Sequence, residues 1–340
     1  MKTFKFSLVA LATTALLTAC SNEVIEPQVK SNGEAQEISF RLQGGMPEVE
    51  TYALATTRDN LEAFVVFGTD VVGSTNTLLF NGKSVVRQLD GTFAYAPKAY
   101  YSAGATKAGF FAFAPVSANV SSPTFSNDFL TAGASFGYEV LPPDNSGDAI
   151  QEDFLVVGTV VTPSTTAVNL TFDHALSRIF VTATNLSADP VIIKDITLKN
   201  LNTKGTLKVT NAAAWSWTSV NTLDDYTYIL APSGVVVPGG TNTKTLVTSM
   251  EQGMMVLPQE LQITGTGNVA NDDFALEITY EFANFGTQTR YVYIPEVSPG
   301  TPYEFEAGYQ YNINIAFDGL LPIDFVVVDV NEFESPIIVN

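Results

Sequence analysis

The residue types that most often carry out chemistry in proteins are scarce in this chain. Among 340 residues there is one histidine, His174, and one cysteine, Cys20. A metal site with two or more imidazole ligands is therefore excluded, and a Ser-His-Asp triad would have to include His174. Ser177 is too close in sequence to indicate such a triad. We predict that His174 is a hydrogen-bonded structural residue at a strand turn.

Paired carboxylates are the next candidates, because two of them can cleave a glycosidic bond. Adjacent acidic residues occur at Glu152-Asp153, Asp224-Asp225 and Asp272-Asp273. Neighbouring residues in a strand point to opposite faces, so adjacency does not indicate a shared site. The chain also lacks a Gly-x-Gly-x-x-Gly motif and a Walker motif. We therefore predict that these carboxylates are solvated turn residues. We also predict that the protein is not an enzyme and has no cofactor.

A loop over residues 142–148, Pro-Pro-Asp-Asn-Ser-Gly-Asp, carries oxygen ligands that could bind Ca²⁺. It lacks the spacing of an EF-hand and its bidentate glutamate, so we favour a plain turn and predict no metal site.

Aromatic residues offer two further candidates for binding. The region from Phe93 to Pro115 is dense in Phe and Tyr, which could stack on sugars but at strand spacing more often form a core. Trp215 and Trp217, like Tyr226 and Tyr228, are two residues apart, which places both rings of each pair on one face of a strand. An exposed face could bind a glycan or a protein, but we favour a buried face for both features.

The first twenty residues have the features of a secretory signal peptide. Lys2 and Lys5 precede an apolar run from Leu8 to Leu17, which at about half the roughly 20 residues needed is too short to span a bilayer. Leu17-Thr18-Ala19-Cys20 resembles the lipobox of bacterial lipoproteins, in which the cysteine becomes the acylated N-terminus. We predict a signal peptide over residues 1–20 and lipid on Cys20. Neither a Cys-His nucleophile nor a disulfide then remains.

The charge balance excludes one class of partner. The formal charge is −19, and removal of the leader leaves 14 basic against 35 acidic residues, or −21. A field of this sign repels nucleic acid, so we predict no nucleic-acid partner.

The remaining pattern is that of strands. Residues 21–36 are polar and predict a tether, and Ile38 to Gln43 alternates apolar and polar residues as a half-buried strand does. Phe64 to Phe67 predicts a buried strand that ends at Gly68, and Asn81-Gly82 and Asp90-Gly91 predict hairpin turns. No stretch of twelve residues has a helical apolar stripe, so the fold class is all-β.

The second half of the chain continues this pattern. Strands are predicted over Val168 to Phe172, Phe274 to Phe282 and Tyr311 to Phe317, where every second residue is apolar. One-sided burial over many strands indicates antiparallel sheets packed as a sandwich. Length and composition predict two domains, over residues 37–165 and 166–340.

Several short motifs occur together in one order. After the lipobox come Phe-Phe-Ala-Phe-Ala-Pro at 110–115, Phe-Asp-His-Ala-Leu-Ser-Arg at 172–178, Val-Leu-Pro-Gln at 256–259 and Gly-Tyr-Gln-Tyr-Asn-Ile-Asn-Ile at 308–315. In this order the chain resembles the fimbrillin family, the type V pilins and related surface lipoproteins of Bacteroidales. The resemblance implies two transthyretin-like (Ig-like) β-sandwich domains, export as a lipoprotein, and assembly into fimbriae after proteolytic removal of the N-terminal segment.

The resemblance also implies roles for particular residues. Cleavage between Arg58 and Asp59 would release the lipid, the tether and the first strand together. The vacated groove would expose the apolar sites of Ile38, Phe40 and Leu42, which the strand of another subunit could fill. The implied donor strand lies at the C-terminus and includes Phe325, Val327, Ile337 and Val339.

Each of these roles has an alternative. Arg58 could be an ordinary surface arginine, because Arg41 inside the predicted strand shows that an arginine need not mark a cleavage point. The C-terminal strands could also complete their own sandwich. The chain could also be a permanently lipid-anchored adhesin that binds glycan or host protein, or an accessory, tip or anchor subunit. The implied partners are other fimbrial subunits and the outer membrane, and the implied location is the outer membrane or an extracellular fimbrium.

Overall fold

The computed structural model describes residues 36–42, 61–117, 119–125, 128–141, 151–210, 214–230, 233–248, 253–262, 273–282, 285–294, 303–318 and 321–332. These residues are almost entirely in strands, apart from connecting turns and the four-residue helix α1 (Phe129–Ala132). The predicted all-β fold class is confirmed.

The strands up to the midpoint of the chain are short or of medium length. They are β1 (Phe40–Leu42), β2 (Ala63–Val72), β3 (Thr75–Arg87), β4 (Phe93–Ala94), β5 (Lys107–Ala114), β6 (Val120–Phe125), β7 (Ala134–Glu139), β8 (Leu155–Val161), β9 (Val168–Leu170) and β10 (Asp173–His174).

The second half contains the longest strands. They are β11 (Ser177–Asn185), β12 (Val191–Thr210), β13 (Ala214–Ile229), β14 (Val235–Val237), β15 (Thr241–Leu246), β16 (Met254–Val256), β17 (Gln259–Glu260), β18 (Ala275–Phe282), β19 (Gly286–Val292), β20 (Glu304–Phe305), β21 (Tyr309–Asp318) and β22 (Leu321–Glu332).

The described strands form three large sheets and two small ones. A six-stranded sheet, called here the central sheet, has the order β10-β8-β5-β2-β3-β4. A second sheet has the order β19-β18-β12-β7-β6, and β13 and β14 also pair with β12. A third has the order β15-β11-β21-β22, with β16 paired to β11. The small sheets are the pairs β1-β9 and β17-β20.

The central sheet is buried on both faces, and strand β5 shows this most clearly. Phe110 and Ala112 belong to one apolar cluster, the small core, whereas Phe111 and Phe113 belong to another, the large core. Alternate residues of a strand point to opposite faces, so an unbroken apolar run is what a doubly buried strand requires. The prediction that the aromatic region forms core is confirmed for these four positions and for Tyr101.

Two local predictions are wrong because a glycine has a role other than the expected one. Strand β2 does not end at Gly68 but continues to Val72. A Cβ atom at Gly68 would lie 2.6 Å from Cδ1 of Phe110, so glycine is required there by the packing of the ring. Asn81-Gly82 is a bulge inside β3, not a turn, since residues 81 and 82 both lie between the partners of Val66 and Gly68.

Two turns connect β2, β3 and β4. The sequence pattern predicts the turn between β3 and β4 but not the turn between β2 and β3. At Asp90-Gly91 the amide of Gln88 donates to the carbonyl of Thr92 at 2.7 Å, which confirms the predicted turn between β3 and β4. The hairpin between β2 and β3 turns at Gly73-Ser74, because Val72 pairs directly with Thr75.

Strand direction also departs in part from expectation. The described pairs are antiparallel except β1-β9 and β11-β21, which are parallel.

The division of the chain into two domains at 165/166 stays a prediction. Three described strand pairs, β1-β9, β7-β12 and β8-β10, join residues from its two sides.

The first testable prediction concerns Gly68. Gly68→Ala should lower the free energy of unfolding by about 1–3 kcal/mol, because the added methyl group must displace the buried Phe110 ring. Urea denaturation of the purified full chain measures the change. Gly137→Ala in β7 is the matched control, since its Cβ would meet the hydroxyl of Ser121, which can rotate away. Equal losses for both variants would contradict this account of Gly68.

Candidate functional site: the groove that holds the N-terminal strand

Residues 36–42 lie as an extended segment in a groove with two walls. The first wall is the segment 99–101: the amide of Ile38 donates to the carbonyl of Ala99 at 3.0 Å, and the amide of Tyr101 donates to the carbonyl of Gln36 at 3.1 Å. The second wall is β9, where the amide of Val168 donates to the carbonyl of Ser39 at 2.8 Å. The segment is therefore a strand inserted between two others.

The three apolar side chains of the segment form the inner face. Ile38, Phe40 and Leu42 are 1%, 5% and 5% exposed, and all three belong to the small core. The intervening Arg41 is exposed, and its Nε donates to the side-chain carbonyl of Asn169, its partner in β9. The segment thus covers the small core with one face and meets solvent with the other.

Phe40 makes the central contact. Its ring centroid lies 5.5 Å from those of Phe80 and Phe110 and 6.0 Å from those of Phe64 and Tyr95. The rings of Phe64 and Phe110 meet it edge to face, an arrangement that favours aromatic pairs. These rings come from β2, β3, β5 and the segment after β4, so one side chain of the inserted strand joins four parts of the central sheet.

Tyr95 links the segment to the first wall by a hydroxyl. Its OH donates to the carbonyl of Ile38 and accepts from the amide of Ala99 at 3.4 Å. Burial raises the pKa of Tyr95 to about 12, so the phenol stays protonated and remains a donor at physiological pH.

A buried carboxylate holds the end of the first wall. Oδ2 of Asp70 accepts from the amide of Ser102 at 2.6 Å, and the Asp70 side chain is fully buried. Burial raises the pKa of Asp70 above its ordinary 3.8. Its Oδ1 and the hydroxyl of Ser102 have no hydrogen-bond partner among the described atoms. Sequence analysis missed this residue, although a single Asp in the apolar strand β2 was a usable signal.

The outer side of the segment has weak electrostatic support. Lys98 Nζ lies 2.5 Å from a carboxylate oxygen of Glu37, but both side chains are about half exposed, so the pair stabilises the docked segment little.

The structure brings together only some of the predicted site residues. Ile38, Phe40 and Leu42 converge in the groove. Cys20, Arg58, Asp59, Ile337 and Val339 lie outside the described residues, as does the loop 142–148. Phe325 and Val327 are in β22, which pairs antiparallel with β21 of the same chain.

The other candidate residues are engaged within the fold. His174 is buried, with Nδ1 2.9 Å from Oδ1 of Asp153, which confirms the predicted structural histidine. Trp217 Nε1 donates to the carbonyl of Ala175 at 2.6 Å, and Trp215 Nε1 donates to Asp173 at 3.3 Å. Both indoles are half-buried against the large core. Tyr226 and Tyr228 belong to the large core, as favoured.

The adjacent carboxylates do not form shared sites where the structure describes them. The prediction of solvated turn residues is wrong for Asp153 and Asp273, which are buried. Glu152 accepts from Ser117 and Asn119, whereas its neighbour Asp153 contacts His174. Asp225 contacts Lys199. Among the described residues no group of three or more His, Cys, Asp or Glu side chains could hold a metal ion. Nor does that part of the chain contain a helix long and apolar enough to cross a membrane.

A comparison with protein-family models finds a match over most of the chain. A family model described as fimbrillin-like matches residues 51–331, which is more than half of the chain. A comparison with curated protein sequences finds no match.

Solved structures with similar folds come from species of Bacteroides and Parabacteroides. A fimbrial protein from Bacteroides vulgatus has a TM-score of 0.59 at 15% identity, covering 87% of this chain and 99% of its own. Proteins described as cell adhesion proteins from Bacteroides uniformis and Parabacteroides distasonis each have a TM-score of 0.50, at 15% and 12% identity. The first covers 88% of this chain and 98% of its own, and the second 87% and 96%. At such identities the likeness shows a shared fold.

The groove gives a prediction about Phe40. Phe40→Ala should destabilise the docked segment by about 3–5 kcal/mol, because it removes a buried ring and leaves a cavity among four others. Hydrogen exchange of the Val168 and Tyr101 amides, which bond to the segment, reports its release. Arg41→Ala is the control, because its exposed side chain should change this exchange little. Unchanged protection in Phe40→Ala would show that the ring does not hold the segment.

Asp70 gives a prediction about pH. Its pKa is raised by folding, so the folded state binds the proton more tightly, and the cost of the buried charge is fully present above the raised pKa. Asp70→Asn should therefore be more stable than the parent chain at neutral pH. The advantage should shrink as the pH falls through the raised pKa toward 3.8. Urea denaturation of both proteins over this range measures the difference, and a constant difference would exclude a titrating Asp70.

Proposed function

Because this chain belongs to the fimbrillin-like family, we propose that it is a structural subunit of a bacterial fimbrium that supports adhesion, and not an enzyme. The family match and the shared fold with a fimbrial protein of Bacteroides vulgatus support this proposal.

The observation that carries the proposal is the inserted segment 36–42. A strand near the N-terminus fills a groove of the fold with three buried side chains and bonds to both walls. Such a strand can be replaced by another of similar pattern without change to the rest of the fold. We infer that it occupies the assembly groove of the subunit until it is removed.

Removal requires a cut between the segment and the body of the fold. Arg58 is the proposed cleavage point, since it lies between the segment and β2 and precedes Asp59. A cut there would release residues 20–58, including the lipid proposed on Cys20, from the remainder. In this proposal the lipid carries the subunit to the outer membrane, and cleavage both frees it and opens the groove.

The energetics favour refilling an open groove. Ile38, Phe40 and Leu42 each contribute about 1.5–3 kcal/mol by burial, and their loss exposes the small core to water. The walls would also lose their backbone partners, which raises the cost further. A strand from another subunit that restores these contacts is therefore strongly stabilised.

The proposed donor is the C-terminal strand region with Phe325, Val327, Ile337 and Val339. Among the described strands β22 is the outer strand of its sheet, paired with β21 on one side. An outer strand can leave its sheet with fewer broken contacts than a central one, which suits a donor.

The alternative of a permanently anchored glycan binder has less support. Its aromatic candidates, Trp215 and Trp217, pack against the large core and use their indole N–H groups within the protein. Both rings are only partly exposed.

The proposal predicts the behaviour of Arg58→Ala in the producing cell. The variant should keep its N-terminal segment and remain monomeric, whereas the parent chain should begin at Asp59 in a heat-resistant ladder. N-terminal sequencing and denaturing gels of cell-surface material measure both. Arg41→Ala is the matched control, because this arginine lies within the docked strand and should not affect processing. A parent chain that starts at acylated Cys20 and migrates only as a monomer would refute the proposal.

A further inference from the structure

The apolar pattern of the inserted segment occurs a second time in the chain. Isoleucine, any residue, phenylalanine, any residue and a large aliphatic residue occur at Ile38 to Leu42 and again at Ile323 to Val327. No other stretch of the 340 residues has this pattern. The second occurrence of this pattern lies within β22.

We propose that the groove recognises a second copy of this chain in one register, in which Phe325 takes the place of Phe40. Ile323 and Val327 then replace Ile38 and Leu42. This inference rests on the proposed function and adds to it the partner and the residue that determines specificity.

The site of Phe40 selects for an aromatic ring. Four aromatic rings lie at centroid distances of 5.5–6.0 Å around it, so an aliphatic side chain would leave part of the space empty. Phe325 is the aromatic residue of β22. A strand that instead offered Val326, Val328 and Val330 would have alternating apolar residues but no ring for this site.

The proposed register also fits the backbone of the groove. It places Pro322 at the position of Glu37, and the first wall bonds to the amide of Ile38 and the carbonyl of Gln36. Proline lacks an N–H group, so at this position it removes neither bond. A shift by one residue that placed Pro322 at the position of Ile38 would lose the bond to Ala99. It would also turn the apolar side chains away from the core.

Strand direction and local pairing agree with this exchange. Both patterns read in the same direction, so the incoming strand would run parallel to β9, as β1 does. In its own sheet β22 is irregular at this point: Ile315 pairs with Val326 and Phe317 with Pro322. Three residues of β22, Ile323 to Phe325, therefore lie opposite one residue of β21, Ala316. The first three residues of the pattern thus lie where the ladder of β22 is already interrupted.

Paired cysteines test the register. Arg41 is opposite Asn169 in the present structure, so the proposal places Val326 of the second copy opposite Asn169. Neighbouring strands are about 4.8 Å apart, which is within the range for a disulfide. The full chain with Asn169→Cys and Val326→Cys should form a covalent ladder after processing and oxidation. Asn169→Cys with Val328→Cys is the control, on the same side of the strand but two residues away, and should not.

A second measurement compares the side chains without cysteines. Phe325→Ala should lower the yield of heat-resistant polymer at least about tenfold, because the aromatic site is left unfilled, whereas Val326→Ala should change the yield less than about twofold. Correct processing at Asp59 serves as the test that each variant folds.

The outcomes separate this inference from the proposed function. Polymer that cross-links through Val328→Cys, or that forms equally well with Phe325→Ala, would overturn the register while leaving the fimbrial role intact. Polymer that forms only with a different subunit, and has no link between copies, would overturn the choice of partner. Absence of polymer from the processed parent chain would refute the proposed function itself.

Discussion

The small core is completed by a segment that enters it from outside the central sheet. Strands β2, β3, β5 and β8 supply one side of this core, and β1 with β9 supplies the other. Phe40 is surrounded by four rings and lies between two walls that each bond to the backbone around it. Buried apolar area and paired backbone groups therefore depend on the same seven residues. The two walls of the groove are positioned to bond to this segment.

The walls are held by polar groups that burial makes costly. The hydroxyl of Tyr95 accepts from the amide of Ala99, at the start of the first wall, and Asp70 accepts from the amide of Ser102, at its end. A buried carboxylate with one unpartnered oxygen is unfavourable unless its position matters, because removing a charge from water has a large cost. The fold retains the Asp70 carboxylate at the place where this group fixes the segment that pairs with residues 36–38. The large core does not depend on the inserted segment, because strands from the second and third sheets close it.

Sequence patterns identified the parts of this site that are local. The alternation at Ile38, Phe40 and Leu42 was sufficient to predict which side chains are buried, because a strand has a period of two residues. The aromatic density before Pro115 predicted a core for the same reason. The ordered motifs led to the family, and the match over residues 51–331 confirms it. These inferences needed only spacing and residue type.

Other features depend on contacts between distant parts of the chain. Gly68 resembles the end of a strand until the ring of Phe110 is placed against it, and Asn81-Gly82 resembles a turn until β2 sets the register of β3. Asp70 is 32 residues from Ser102, so its role is visible only in three dimensions. The parallel pairing of β1 with β9 joins residues 128 positions apart, for which no local pattern exists. The sequence by itself determined the strand content, the inward residues of the first strand and the family. The tertiary structure decided which walls the strand meets and where Phe40 is enclosed, because these depend on contacts between residues far apart in the chain.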